Sequence, residues 1–215
     1  MRETLSEYKF KRIATESLRN GLRLHFDSLL LFHRKSYASA LQLSIIAMEE
    51  IAKAKWVEHY YDASKSNSGF PDEDFEQEWL KLLYYHPRKQ FAFLAREIYW
   101  YSPTFVEFVK SKKLENLKQE STYVGLKKKN GKIDVNSRVS IPIKTKELDA
   151  KKIITLVNAE LVFMCEMNIK HSYYFRFEEM NEIIDKELMD ILTAWDFNSE
   201  IRSRKWENYW FNRNK

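Results

Sequence analysis

The chain has 215 residues, of which 44% are hydrophobic and 15% aromatic, so it can bury a substantial core and is not expected to be disordered. Its four glycines and four prolines are too few for the turns of an all-β fold, which predicts a mainly α protein. The formal net charge is only +5, which by itself excludes a strongly basic, uniformly charged protein.

The sequence favours a protein of the reducing cytoplasm. Cys165 is the single cysteine, which excludes an intramolecular disulfide, and its apolar neighbours predict a buried, unreactive thiol. The opening segment MRETLSEYKFKR is charged throughout, so no signal peptide is expected there. No charge-free run near the most apolar segment is long enough to cross a bilayer.

Two long helices are predicted at the start of the chain. Apolar residues at helical spacing predict the first helix from about Leu5 to Phe32, without an interrupting proline. The second runs from Ser36, a plausible N-cap, to about Tyr61 and is apolar around most of its circumference, as in the most buried helix of a bundle. Because only HRKS joins them, the two helices should lie antiparallel.

Shorter helices and a hairpin follow. After the polar loop DASKSNSGFPDED, helical segments are predicted at 72–85 and 87–100, with Pro87 in a first turn, and from Pro103 through Leu117. The Asn-Gly pair in TYVGLKKKNGKIDV predicts an exposed β-hairpin.

Positive charge is concentrated in residues 110–152. This region holds thirteen Lys or Arg residues against five Asp or Glu residues, so the rest of the chain carries −3. Such a surface can bind RNA, DNA or acidic protein, and a solvated lysine-rich face is the plainer interpretation.

Helical spacing returns at about 146–167 and again at 173–195, before the tail RSRKWENYWFNRNK. In the tail an aromatic stripe of Trp206, Tyr209 and Trp210 lies among basic residues, and it either packs on protein or contacts RNA or lipid. We therefore predict an antiparallel helical bundle at 1–170, including the basic hairpin near 121–143. Residues 171–215 are predicted to form a C-terminal helical extension and tail.

Charged residues interrupt the apolar second helix in the segment IIAMEEIAKAKW. On a helical wheel Glu49 and Lys53 fall between apolar positions, and Asn20 and Asp27 share an apolar face of the first helix. Since unpaired buried charges cost several kcal/mol, we expect these four residues to form one hydrogen-bonded network, with Glu49 and Lys53 paired. The network either fixes the register of the bundle or orients a functional site.

The segment YYHPRKQ forms a second polar patch, with His86, Arg88 and Lys89 at the start of a helix. Backbone N–H groups there favour anions such as phosphate, and a histidine can titrate near neutral pH. A helix cap or a packing residue is the plainer interpretation of His86.

Several classes of enzyme are excluded by missing motifs. The chain has no Glu-x-x-His pair and no GxxxxGK[ST], GxGxxG, HExxH or GxSxG motif, so neither a metal nor another cofactor is expected.

Taken together, RNGLRLHFDSLLLFHRKSYASALQLSIIAMEEIAKA, HPRK and STYVGLKKKNGKI resemble the AbiV-type abortive-infection proteins of bacteria, over about 15–161. That family belongs to the HEPN superfamily of helical bundles, many of whose members are dimeric, metal-independent ribonucleases in phage defence. The resemblance implies a homodimer with an antiviral role. The residues that match the family's polar motif are Asn20, Asp27, Glu49, Glu50, Lys53, His86 and Lys89, with Arg88 and Tyr123 adjacent to it.

One departure from the nuclease members concerns their Arg, four to six residues, then His motif. The only fit is Arg19 to His25, whose side chains would point about 120° apart on a helix, so we interpret it as coincidental. If the chain cleaves RNA, His86 is the expected acid or base, with Lys89 or Arg88 stabilising charge on the phosphate. The effector could instead inhibit translation by binding RNA, and a phage-encoded protein is its expected activator. The alternatives are a non-catalytic module that senses or sequesters a phage or host protein, and a helical scaffold.

Overall fold

A computed structural model describes residues 5–66, 73–95, 101–129 and 132–197, and these form a helical bundle. The predicted tail stripe, residues 67–72 of the predicted polar loop and the Asn-Gly turn lie outside the described residues. The loop prediction is wrong at its start, because residues 62–66 continue the second long helix. Within the described part of the chain, no helix has the length and apolar character needed to cross a membrane.

The two predicted long helices are confirmed as α1 (Glu7–His33) and α2 (Tyr37–Ser66). The hydroxyl of Ser6 accepts a hydrogen bond from the N–H of Lys9 and caps α1. The chain reverses at Lys35, whose φ is 60°, in the left-handed region. Glu7 pairs with Lys65 and Asn20 with Glu50, so the helices run antiparallel as predicted.

Gly21 allows the backbones of α1 and α2 to approach closely. A Cβ atom at this position would lie 2.8 Å from Cγ1 of Ile51 and 3.3 Å from the carbonyl oxygen of Ala47. Any larger residue would push the helices apart, so the glycine is required by packing rather than by its backbone angles.

The next four helices are α3 (Glu73–Leu82), α4 (His86–Ala95), α5 (Pro103–Lys110) and α6 (Lys113–Thr122). Helices α4 and α6 pack on α2, and α5 packs on α4 and α6. Trp79 of α3 stacks on Tyr60 of α2, with ring centroids 3.9 Å apart. The prediction of one helix from Pro103 through Leu117 is wrong, because Lys112 adopts φ 60° and ends α5 before α6 begins.

The predicted hairpin is confirmed by two short antiparallel strands, β1 (Lys128–Lys129) and β2 (Lys132–Ile133). A 3-10 turn (Pro142–Lys144) leads into α7 (Glu147–His171). This long helix packs on α2 and α1, and from residue 153 to residue 165 it is buried on nearly all sides, so α2 is enclosed by α1, α4, α6 and α7.

The prediction of continuous helix at 173–195 is wrong in its middle. The structure has two short helices, α8 (Glu178–Asn181) and α9 (Lys186–Thr193). Asp185 accepts a hydrogen bond from the N–H of Leu188 and starts a new helix instead of continuing the old one. Phe175, Phe177 and Trp195 join the same core as the bundle. The division of domains at residue 170 stays a prediction.

Candidate functional site

The carboxylate of Glu49 lies at the centre of a polar cluster inside the bundle. Its side chain is 0% exposed. Oε1 accepts hydrogen bonds from Nε2 of Gln90 and from Nζ of Lys118, both at 2.8 Å. Oε2 lies 2.5 Å from Nδ1 of His86 and 3.5 Å from Nζ of Lys89. Four groups from α4 and α6 therefore compensate the cost of burying one carboxylate of α2.

Charges in this cluster balance. Lys118 also pairs with Glu115 at 2.7 Å, and Lys53 pairs with Glu50 at 2.8 Å. The cluster thus contains three carboxylates and three ammonium groups, from Glu49, Glu50, Glu115, Lys53, Lys89 and Lys118. Burial alone raises the pKa of Glu115, but hydrogen bonds from Lys118, Gln119 and Gln90 outweigh it and hold that pKa below its usual value.

The predicted network of Asn20, Asp27, Glu49 and Lys53 is joined through intermediate residues. Arg23 donates to both Asp27 and Asn20, at 3.0 Å each, and Asn20 donates to Glu50 at 3.2 Å. Glu50 accepts from Lys53, and Lys89 lies 3.9 Å from Glu50 and 3.5 Å from Glu49.

Two details of that network differ from the prediction. Lys53 pairs with Glu50, three residues before it, rather than with Glu49, because Glu49 is turned towards α4 and α6. Asp27 is about half exposed and pairs with Arg23 at the rim, so it is not part of the buried cluster itself.

The three residues of the HPRK segment occupy different environments. The side chain of His86 is 52% exposed although its Nδ1 atom faces buried Glu49. Lys89 is buried against Glu49 and Glu50. Arg88 is exposed, and among the described residues no hydrogen bond or ion pair involves its side chain. His86 and Arg88 are therefore both exposed in the first turn of α4, two positions apart on the helix.

A family model described as AbiV (HEPN_AbiV) matches residues 9–162 of the chain. The chain belongs to the AbiV family of HEPN proteins. The match contains Asn20, Glu49, His86 and Lys118, and it confirms the resemblance found over about 15–161. Membership in the AbiV family supports a role in abortive infection, the bacterial defence against phage. No curated protein and no solved structure matches the chain.

Sequence reasoning missed three members of this cluster in the AbiV chain: Gln90, Glu115 and Lys118. Gln90 lies one turn after His86 and donates to both Glu49 and Glu115. Lys118 follows Leu114 by four residues and precedes Ser121 by three, and both neighbours are buried. This spacing is the sequence pattern that indicates burial of Lys118. The many other lysines of the same region made the pattern hard to recognise.

The other candidate histidine motif of the AbiV chain forms no surface site. His25 is completely buried, and its Nε2 atom lies 2.7 Å from Oδ1 of Asn158. Arg19 is exposed and pairs with Glu16. The interpretation of the Arg19 to His25 spacing as coincidental is therefore confirmed.

A second buried ion pair lies apart from Glu49. Nζ of Lys55 is 2.6 Å from Oε1 of Glu160, and the hydroxyl of Tyr101 donates to Oε2 at 3.2 Å. This pair joins α2 to α7. Among the residues that the structure describes, no group of three or more His, Cys, Asp or Glu side chains is placed to hold a metal ion.

Proposed function

We propose that this AbiV protein is a phage-defence effector that cleaves RNA without a metal ion and uses His86 as the acid or base. The contact between Nδ1 of His86 and the buried Glu49 carboxylate carries this proposal. A half-exposed imidazole held by a buried carboxylate has a defined orientation and one ring nitrogen left for chemistry.

The dyad determines which nitrogen reacts. A carboxylate only accepts hydrogen bonds, so Nδ1 of His86 carries the proton that Glu49 accepts. Nε2 is then the basic atom of the neutral ring. It removes the proton of an RNA 2′-hydroxyl, the oxygen attacks the adjacent phosphorus, and the 5′-oxygen leaves with a proton from solvent. The products are a 2′,3′-cyclic phosphate and a 5′-hydroxyl end.

Cations near His86 supply the electrostatic part of the proposal. Arg88 is an exposed cation in the same helical turn as His86, and in this proposal its long side chain reaches round the turn to the phosphate. Lys89 is buried between Glu49 and Glu50, so in this proposal it stabilises the dyad rather than the phosphate directly. Nζ of Lys112 lies 6.0 Å from the ring centre of Tyr85 and adds a cation beside an aromatic side chain.

The basic region at 110–152 is proposed to bind the RNA backbone. The exposed lysines of this region that the structure describes include Lys112, Lys113, Lys132 and Lys144, whereas Lys118 is withdrawn into the cluster around Glu49. We further propose that the protein acts in the cytoplasm as a homodimer. A phage-encoded protein is the proposed trigger.

The experiment compares cells that express the wild type, His86→Ala or His59→Ala during phage infection. His59 is an exposed histidine on α2 and is the matched control. Wild type and His59→Ala should protect the cells and produce new RNA ends with 5′-hydroxyl groups. His86→Ala should do neither while keeping its circular dichroism spectrum. New RNA ends in cells that express His86→Ala would contradict the proposal that His86 is the acid or base.

A second candidate function is a non-catalytic module that binds a phage or host protein. It is favoured by apolar side chains exposed in the segment after α6: Val124 is 72% exposed, Val135 76% and Ile143 90%. Exposed apolar side chains mark a protein interface where they form one continuous patch, and in this second candidate function the three residues belong to such a patch. Protection without new RNA ends, lost on Val135→Asp and Ile143→Asp but kept in His86→Ala, would favour this function.

A further inference from the structure

A cleft of about 290 Å³ opens beside the Glu49 cluster, between α1, α2 and the end of α3. It is lined by Glu50, whose neighbour Glu49 holds His86, and by Tyr84, two residues before His86. The proposed chemistry of His86 uses no residue of this cleft. The cleft is nevertheless next to the dyad along both α2 and the turn that leads into α4.

One side of the cleft is apolar and carries an exposed aromatic ring. Ile13 of α1, Leu80 of α3 and Leu83 line it together with Tyr84. Tyr84 is 79% exposed, so its ring has no core to cover it. A flat, exposed ring above an apolar floor is suited to stack against another flat ring.

The other side of the cleft is polar. Asn20, Glu50 and Lys53 line it and present an amide, a carboxylate and an ammonium group. Ser17 also lines the cleft, and although the residue as a whole is only 4% exposed, its hydroxyl is not among the buried polar atoms of the described residues that lack a partner. A hydroxyl that lines a cleft wall can donate to or accept from the polar edge of a ligand.

We propose that this cleft binds a nucleobase of the RNA next to the cleaved phosphate. A nucleobase has two apolar faces and a polar edge, which match the Tyr84 side and the Ser17 side of the cleft. The inference rests on the proposed RNA cleavage and adds the substrate contact that selects where the chain cuts. Ser17 and Asn20 hydrogen-bond the edge of the base, and Tyr84 stacks on its face.

The test measures binding instead of cleavage, so that it is independent of His86. Full-length protein is titrated with two oligomers whose 2′-hydroxyls are methylated to block cleavage, one with bases and one with the same backbone but no bases. Fluorescence anisotropy gives the affinity of each. The variants are Tyr84→Ala, Tyr84→Phe and Ser17→Ala, and the control is Tyr173→Ala, an exposed tyrosine outside the cleft.

The wild type and the Tyr173→Ala control should prefer the base-containing oligomer by about 10-fold or more, as expected for one stacked base. Tyr84→Ala should lose that preference, Tyr84→Phe should keep it, and Ser17→Ala should weaken it by about 3-fold. Because Tyr84 is exposed, its substitution leaves the core intact, and circular dichroism checks the fold.

Two results would overturn the inference in different ways. If Tyr84→Ala binds RNA and still prefers the oligomer with bases, the cleft is not the base-binding subsite, and the proposed cleavage by His86 is unaffected. If the wild type binds neither oligomer, the subsite and the proposed RNA cleavage both fail.

Discussion

Nδ1 of His86 lies 2.5 Å from Oε2 of Glu49, which joins a half-exposed imidazole to a fully buried carboxylate. The two residues are 37 positions apart, on α4 and α2. Glu49 cannot turn away from His86 without breaking its bonds to Gln90 and Lys118. The orientation of the imidazole is therefore fixed by the interior of the bundle rather than by the surface around it.

Glu49→Gln should destabilise the fold by about 3–5 kcal/mol, because it leaves Lys118 and Lys89 buried with less compensating charge. Lys118→Met should cost a similar amount, because it leaves Glu49 short of a partner. The double variant should lose clearly less stability than the sum of the two single variants, since the charges of Glu49 and Lys118 are then removed together. Urea unfolding of the wild type, the two single variants and the double variant measures the coupling free energy between Glu49 and Lys118.

Arg19→Met is the surface control for that cycle. Arg19 and Glu16 are both about half exposed, so breaking their ion pair should change the free energy of unfolding by about 0.5 kcal/mol or less. Additive losses in the Glu49 and Lys118 cycle would show that the two side chains do not depend on each other.

Acid should weaken the fold through His25. Burial lowers the pKa of His25 from 6.5 to about 4, and the hydrogen bond with Asn158 opposes this only in part. Between these values the unfolded chain binds a proton that the folded chain does not. The free energy of unfolding that neutral His25 contributes is therefore present above the unfolded pKa of 6.5 and is lost as the pH falls towards the folded pKa of about 4. Between about pH 7.5 and about pH 4.5 the folded protein should lose about 2–3 kcal/mol of stability.

His25→Gln removes this titration and tests the assignment. Urea unfolding measures the free energy of unfolding at about pH 7.5 and about pH 4.5. Between these two pH values the wild type should lose about 2–3 kcal/mol more than His25→Gln loses. Equal losses in both proteins would mean that His25 does not carry this part of the acid sensitivity.

Gly21→Ala should destabilise the fold, because the added Cβ would lie 2.8 Å from Ile51 and 3.3 Å from backbone atoms of α2. The overpacking should exceed the gain in helix propensity and leave a net loss of about 1–2 kcal/mol. Gly125→Ala is the matched control, since nothing lies within 4 Å of its added Cβ. Thermal unfolding of both variants checks the difference, and a Gly21→Ala protein as stable as the wild type would contradict it.

Cys165 should resist alkylation in the folded protein. Burial raises the pKa of its thiol to about 12, with further contributions from Asp185 and Glu166, so very little thiolate is present at neutral pH. Iodoacetamide at about pH 8 should modify it at least about 100-fold more slowly than in denaturant. Mass spectrometry of timed samples measures this, and rapid modification of the folded chain would show that the thiol is accessible.

The helices predicted from spacing agree with the structure where one helix packs along its whole length, although α2 ends at Ser66, five residues later than predicted. The pattern predicted α1 and α2 and their antiparallel pairing, because apolar spacing and a short connection depend only on nearby residues. Spacing failed at Lys112 and at Asp185. There a left-handed residue and a helix cap end one element and begin another without interrupting the apolar pattern.

The sequence by itself indicated that Glu49 would be buried, because on the helical wheel it falls between apolar positions of the second helix. It also placed His86 at a helix start and predicted that polar groups of the two facing helices, Asn20 among them, join one network. The partners of Glu49 were decided only by the tertiary structure. Lys118 is 69 positions away, in a segment where thirteen cations look alike, and the docking of α6 on α2 selects that one. Local patterns report which face is buried, whereas the pairing of buried charges depends on which distant helices pack together.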